Sequence, residues 1–396
     1  MNKTLQELMR TATRLTPSGR LNEATQAIQR ALRDAAPASA APGPVNPWAG
    51  AGSMTVPGVM RKMASPWVLD GRAFKVDARK PGAPDSGTGE FISGTHTHAS
   101  LTSRFKLYLP PGHVGKQLPL VVMLHGCTQD PDDFAAGTAM NERAREQGFF
   151  VLYPQQSPDV NPSRCWNWFK HSHQERGRGE PALIASLTQA VIKQHDMDAR
   201  RVYIAGLSAG GAMAVIVAAA YPELFAAVGV HSGLPSGAAS NVAEALMVMK
   251  SGHVGIVERA WGGRADAAAK ALLQPQTPIP TIVFHGDQDQ TVHPRNGEQV
   301  IAAALGAAAA AQDSHARPSG SARVEQGVSA QGRRYTRSTQ HGDQGQALTE
   351  HWLVHGAGHA WSGGHASGSY TDASGPDATQ EMLRFFFDHP KTRGDI

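Results

Sequence analysis

Residues Gly206-Leu207-Ser208-Ala209-Gly210 constrain this chain more than any other stretch. Before them runs Arg201-Val202-Tyr203-Ile204-Ala205, a short apolar run that predicts a strand. After them Gly211 to Ala218 is a small-residue apolar stretch that predicts a helix. A chain that passes from strand to helix through so tight a turn puts Ser208 at the apex with its hydroxyl exposed, the arrangement of a nucleophile elbow. The glycines on either side keep the turn free of Cβ clashes.

In a glycine-rich chain the pentapeptide alone carries little weight, and two further motifs supply it. After the apolar run Thr281-Ile282-Val283-Phe284 comes His285-Gly286-Asp287-Gln288-Asp289; after Glu350 to Val354 comes Gly356-Ala357-Gly358-His359-Ala360-Trp361. Serine, acid and histidine thus follow one another in the order that an α/β-hydrolase requires, each just past the end of an expected strand. A serine hydroxyl is a poor nucleophile until an imidazole takes its proton, and a buried carboxylate holds that imidazole in the right tautomer. Spacing alone leaves Asp287 and Asp289 both open as the acid. His359, in a loop between Gly358 and Ala360, is preferred as base over His351, His355 and His365. A fourth strand end, Leu120 to Leu124 followed by His125-Gly126-Cys127, is placed to supply an oxyanion donor: the backbone N–H of Cys127 would pair with that of Ala209.

The expected fold is α/β, an α/β-hydrolase with a mainly parallel central sheet flanked by helices, plus an N-terminal helical extension. Strands are expected at 119–124, 149–153, 201–206, 226–231, 280–285 and 350–354, with an antiparallel edge strand at 103–109. Helices are expected near 134–147, 181–195, 209–221, 295–306 and 377–388. Residues 1–34 are expected to form amphipathic helices, with Leu5, Leu8, Met9 and Ala12 on one stripe and Leu21, Ala24, Ile28, Ala31 and Leu32 on the next. Residues 35–89 are expected to be an Ala/Pro-rich linker and irregular lead-in, 90–390 the catalytic domain, and 307–332 an insertion loop. The net charge of +4 is mild and no basic stripe interleaved with aromatics occurs, so nucleic acid is not an expected partner. No run of eighteen apolar residues is present, so no transmembrane segment is expected. No secretory leader is recognised at the start, and a cytoplasmic location is expected.

The motifs as a set resemble the catalytic domain of poly(3-hydroxybutyrate) depolymerases and their relatives, the feruloyl and acetylxylan esterases. The resemblance runs from about Phe105 to Phe387. It rests on Leu124-His125-Gly126-Cys127-Thr128-Gln129, Tyr153-Pro154-Gln155-Gln156, Cys165-Trp166-Asn167-Trp168-Phe169, Val202 to Met213 around Ser208, His285-Gly286 with Asp289 and Val292, and Gly358-His359-Ala360-Trp361-Ser362-Gly363-Gly364. It implies Ser208 as nucleophile, Asp289 as acid, His359 as base and Cys127 as first oxyanion donor. The expected activity is hydrolysis of poly(3-hydroxybutyrate) or its oligomers through an acyl-enzyme, with no cofactor and no metal. The expected partners are a polyester or small ester and, through the N-terminal helices, a polymer granule surface. The alternatives are a feruloyl- or acetylxylan-type carboxylesterase and a noncatalytic granule-binding protein.

Other residues receive plainer expectations. His125 and His285 are structural histidines bonded to backbone. His96-Thr97-His98 and His171-Ser172-His173 are solvated loop rather than metal ligands. Trp166, Trp168 and Phe169 divide between loop packing and an acyl-site wall, and Trp361 is placed on the wall. Cys127 and Cys165 are expected to pair, the alternative being two buried thiols, which a reducing cytoplasm favours.

Overall fold

The computed structural model describes residues 87–252, 279–311, 322–342 and 345–392, together with the backbone of two strands at 67–69 and 72–76. The helices expected over 1–34 and the first part of the 35–89 segment lie outside the described residues. In chain order the strands and helices run β1 (Trp67–Leu69), β2 (Arg72–Val76), β3 (Glu90–His98), β4 (Leu101–Leu109), β5 (Leu120–Leu124), α1 (Pro131–Thr138), α2 (Met140–Gln147) and β6 (Phe150–Pro154). Then follow α3 (Gly179–His195), β7 (Val202–Leu207), α4 (Ala209–Ala220), β8 (Ala227–His231), α5 (Val242–Ser251), β9 (Thr281–Gly286), α6 (Arg295–Ala311) and β10 (Arg323–Val328). The last are β11 (Arg334–His341), β12 (Ala347–Val354), β13 (Trp361–Ser362), β14 (Thr371–Asp372) and α7 (Ala378–Phe387).

Twelve strands form one sheet in the order β1-β2-β3-β4-β6-β5-β7-β8-β9-β12-β11-β10. From β6 to β12 every pairing is parallel, and both edges are antiparallel. The sequence explains the division. Strands β5, β6, β7, β8 and β9 are buried at every position, as parallel strands covered on both faces must be. Edge strand β10 alternates and leaves Val324 and Val328 exposed. Alternate residues of each strand feed opposite cores. Val122, Ile204 and Val230 join Met213 of α4 and Ile184 of α3 on one face. Val121, Tyr203 and Phe284 join Phe134 of α1 and Phe386 of α7 on the other. Each such buried side chain contributes roughly 1.5–3 kcal/mol.

Several expectations change. The strand expected at an antiparallel edge over 103–109 is β4, which pairs with β3 and β6 inside the sheet. The helix expected over 134–147 is two, because Ala139 takes a left-handed φ of 53° and at once ends α1 and begins α2. The 35–89 lead-in contains β1 and β2, antiparallel partners that extend the sheet beyond β3; between their sequences stands the dipeptide Asp70-Gly71, a turn signal. The 307–332 segment is not one loop: α6 continues to Ala311, and 323–328 is β10, paired with β11 along its whole length.

Candidate active site

Strands β5, β7, β9 and β12 run parallel, so the segments following them leave the sheet at one edge, where ligands of open α/β sheets bind. Ser208 sits between β7 and α4 with φ 57° and ψ −120°. A non-glycine residue held there costs about 1–3 kcal/mol and persists only where its surroundings impose it. Three contacts do so. The Ser208 N–H donates to the His231 carbonyl at 2.8 Å. A Cβ on Gly206 would lie 2.4 Å from the Gly210 carbonyl, and one on Gly210 would lie 2.0 Å from the Leu124 carbonyl oxygen. Space, not a positive φ, is what demands glycine at both positions. The close approach at Gly210 also sets the first turn of α4 against the backbone that leads into Cys127. Ala209, first residue of that helix, has no intrahelical acceptor for its N–H, and the helix N-terminus favours negative charge.

The candidate acid and the candidate base meet directly. His359 Nδ1 lies 2.7 Å from Asp289 Oδ2. The other carboxylate oxygen accepts the Thr291 and Val292 N–H groups at 2.8 and 2.9 Å. Burial alone would raise the Asp289 pKa; contacts with His285 and His359 and the Val292 N–H outweigh it and hold the group well below the usual carboxylate range. His285 donates from Nε2 to the Val292 carbonyl at 2.8 Å, fixing the turn that carries Asp289. It is the structural histidine expected.

His231, at the end of β8, escaped the sequence reasoning. Its carbonyl takes the Ser208 N–H, and its Nε2 accepts the Ser362 N–H at 2.9 Å. The ring proton therefore sits on Nδ1, 3.2 Å from Ser232 Oγ. Burial above all, with His285 and His359 nearby, lowers its pKa to about 3, so the ring stays neutral. One residue thus joins the Ser208 turn to the segment that follows His359. Its signal was a histidine closing an apolar strand, the pattern already noted at His125 and His285.

The Cys127 loop is fastened from several sides. Cys127 and Cys165 form a disulfide. The Thr128 N–H donates to the Ser163 carbonyl at 2.7 Å, and the Gly126 N–H to Gln129 Oε1 at 2.9 Å. Trp166 Nε1 donates to the His125 carbonyl, and the Gln156 N–H to His125 Nε2, both at 3.1 Å. Burial lowers the His125 pKa to about 4. Behind them buried Glu180 accepts from Gln156 Nε2 and from the Asn167 N–H at 2.5 and 2.7 Å.

The remaining candidates fall elsewhere. Asp287 Oδ2 pairs with His355 Nδ1 at 3.0 Å and Oδ1 accepts the Gly356 N–H at 2.7 Å, which occupies it away from His359. His351 lies within β12 and His365 bonds Ser367. His96 and His98, expected in a solvated loop, lie in β3, where His96 is buried and bonds Ser186; His173 stands 3.4 Å from Glu180. Trp166, Trp168 and Trp361 were candidates for a substrate-facing wall; they are 1, 4 and 1% exposed and pack behind the site instead. Trp361 stacks on His231 and donates to Thr379 Oγ1, because β13 turns its side chain inward.

The family model described as Esterase PHB depolymerase matches residues 103–327, and the chain belongs to that family. It is 33% identical over 210 residues to poly(3-hydroxyalkanoate) depolymerase C of Paucimonas lemoignei, covering 53% of this chain and 49% of that protein. It is 31% identical over 191 residues to probable acetylxylan esterase A of Aspergillus fumigatus, covering 47% and 50%. It is 30% identical over 198 residues to feruloyl esterase B of Thermothelomyces thermophilus, covering 48% and 66%. The chain thus spans about half to two thirds of the length of these relatives. An acetyl xylan esterase structure from Aspergillus awamori superposes with a TM-score of 0.52 at 20% identity over 72% of this chain and 94% of that one, which bears on the fold alone.

Proposed function

We propose that this member of the PHB depolymerase esterase family is a serine esterase that hydrolyses ester bonds of poly(3-hydroxybutyrate) or its oligomers through an acyl-enzyme. The observation that carries the proposal is the 2.7 Å contact between His359 Nδ1 and Asp289 Oδ2, at the same sheet edge as the Ser208 elbow. Asp289 holds the imidazole with Nε2 free to accept the Ser208 proton as Oγ attacks the ester carbonyl. The Cys127 and Ala209 N–H groups receive the oxyanion. His359 then returns the proton to the departing alcohol, and water repeats the sequence on the acyl-enzyme.

A second reading, an acetylxylan or feruloyl esterase, is favoured by relatives so named at nearly the same identity as the depolymerase. The same three residues would serve. A noncatalytic granule-binding role is disfavoured by the paired Asp289 and His359. Granule docking through residues 1–34 is proposed on their apolar stripes alone. Deleting residues 1–50 should weaken adsorption to amorphous polymer and leave turnover of a soluble ester within about threefold of wild type; equal loss on both would reject the docking role.

The deciding experiment has two arms. Ser208→Ala should abolish covalent labelling by an organophosphonate and lower turnover by roughly 10⁵ or more; a variant keeping a tenth of the activity would end the proposal. A panel of 3-hydroxybutyrate oligomers, amorphous polymer, methyl ferulate and acetylated xylan then separates the substrates.

A further inference from the structure

We propose that Tyr370 is a specificity-determining residue that forms the leaving-group wall of the site and favours alcohols with a flat apolar face. The inference rests on the serine-esterase reading above. Tyr370 is 45% exposed, the one Phe, Tyr or Trp side chain exposed to that degree among the described residues. Its ring stands edge-on to His359, centroids 6.5 Å apart. Its hydroxyl lies 3.1 Å from Thr128 Oγ1. Because the Thr128 hydroxyl itself donates to the Cys127 carbonyl at 2.6 Å, the phenol is the donor to Thr128. The ring therefore spans from the base to the loop that carries the oxyanion donor.

The backbone shows that this presentation is imposed. Tyr370 holds a φ of 52°, a conformation that bulky residues rarely adopt. Its carbonyl accepts the Trp361 N–H at 2.7 Å. One residue earlier, Asp133 accepts the Ser369 N–H and hydroxyl at 2.8 and 2.5 Å. Gly368 fits so closely that a Cβ there would lie 2.4 Å from the Asp133 carbonyl oxygen. Such clamping holds an aromatic face in the open, whereas Trp166 and Trp361 are buried.

Chemistry selects which half of the ester meets it. His359 must hand its proton to the leaving oxygen, so the departing alcohol lies beside the imidazole, and Tyr370 is what stands beside the imidazole in turn. A wall on that side acts on acylation alone. Once the alcohol has left, deacylation of a given acyl-enzyme no longer depends on it. A residue that merely held His359 or the Cys127 loop in place would slow both steps, because both use the same base and the same oxyanion donors.

The test compares two esters that share an acetyl group, p-nitrophenyl acetate and methyl acetate. Tyr370→Ala should lower kcat/KM for the aryl ester by about fivefold, the scale of one aromatic contact, and for the methyl ester by less than twofold. The steady rate after the p-nitrophenol burst, which is deacylation, should match wild type per titrated site. Tyr370→Phe, which keeps the ring, should keep the preference for the aryl ester. Equal losses on the two esters, a slowed post-burst rate, or a Phe variant as impaired as Ala would each overturn the proposal. Burst amplitude counts folded active sites, so partial unfolding does not imitate the expected result. A wild-type enzyme with neither burst nor labelled Ser208 would overturn the serine-esterase reading and this inference with it; a normal burst without the selectivity change overturns this inference alone.

Discussion

Asp289 Oδ2 lies 2.7 Å from His359 Nδ1, while Asp287, two residues earlier, is bound by His355 and the Gly356 N–H. Two carboxylates in one turn thus hold different residues of the one loop that follows β12. Asp289→Asn should lower turnover on a soluble ester by about 10⁴, because the amide would stabilise the wrong imidazole tautomer. Asp287→Asn should cost far less in turnover and act mainly on the packing of the Gly356 turn. Steady-state kinetics on both variants decides, and the reverse ranking would transfer the role to Asp287.

Periodicity could not have separated those two acids, since a turn has no repeating face. What sequence did make visible was whatever depends on strand ends. Ser208, Asp289 and His359 each follow an apolar run, and the parallel order of β7, β9 and β12 carries all three to one edge. Side-chain direction in short irregular segments was hidden. Trp361 lies two residues from His359, yet a two-residue strand turns it onto His231 and Thr379. The edge hairpins were missed for another reason. Strands β1, β2 and β10 are short and flanked by Gly, Ser and Ala, so their composition resembles that of a linker, although Asp70-Gly71 was a turn signal. Each pairs antiparallel with the next strand in the chain, β1 with β2, β2 with β3 and β10 with β11, so the hairpins were local but their compositional signal was weak.

Glycines divide by what a methyl group would meet. A Cβ on Gly210 would press on the Leu124 and His125 carbonyls, which belong to the strand end that leads into Cys127. Gly306, inside α6, has nothing within 4 Å of that position. Gly210→Ala should therefore destabilise the protein by roughly 1–3 kcal/mol and depress turnover as the elbow shifts. Gly306→Ala should stabilise by about 0.5–1 kcal/mol through helix propensity. Denaturant midpoints of the two variants should move in opposite directions.

The Cys127–Cys165 bond closes a loop with a sequence separation of 38 residues. In the chain-entropy account such a link contributes about 4 kcal/mol, an effect that acts on the unfolded chain. The chain has two cysteines, so thiol counting on protein denatured without reductant should find no free sulfhydryl. Reduction should lower the melting temperature and, if the Cys127 N–H receives the oxyanion as proposed, slow turnover with it. Two free thiols in oxidised protein would reject the bond. The same count made on protein taken directly from its compartment would tell whether the chain works in an oxidising environment or in the expected reducing cytoplasm.

Buried histidines make a prediction about acid. Burial is the main cause lowering the pKa of His125, His231 and His351 to about 4, 3 and 4, from an ordinary 6.5. Between those values and 6.5 the unfolded chain binds protons at these rings and the folded protein does not. Stability must then rise with pH across the interval, be fully present above pH 6.5, and be lost as pH falls toward 4. Each histidine should remove roughly 2 kcal/mol between pH 6.5 and 4.5, and three together approach the whole stability of an ordinary domain. Melting temperature measured across that range should fall steeply. In His231→Gln the amide can still accept the Ser362 N–H but cannot be protonated. That variant should start less stable at pH 7 and lose less on acidification, so its curve should approach that of the wild type near pH 4.5. Parallel curves would mean that His231 is protonated in the folded protein.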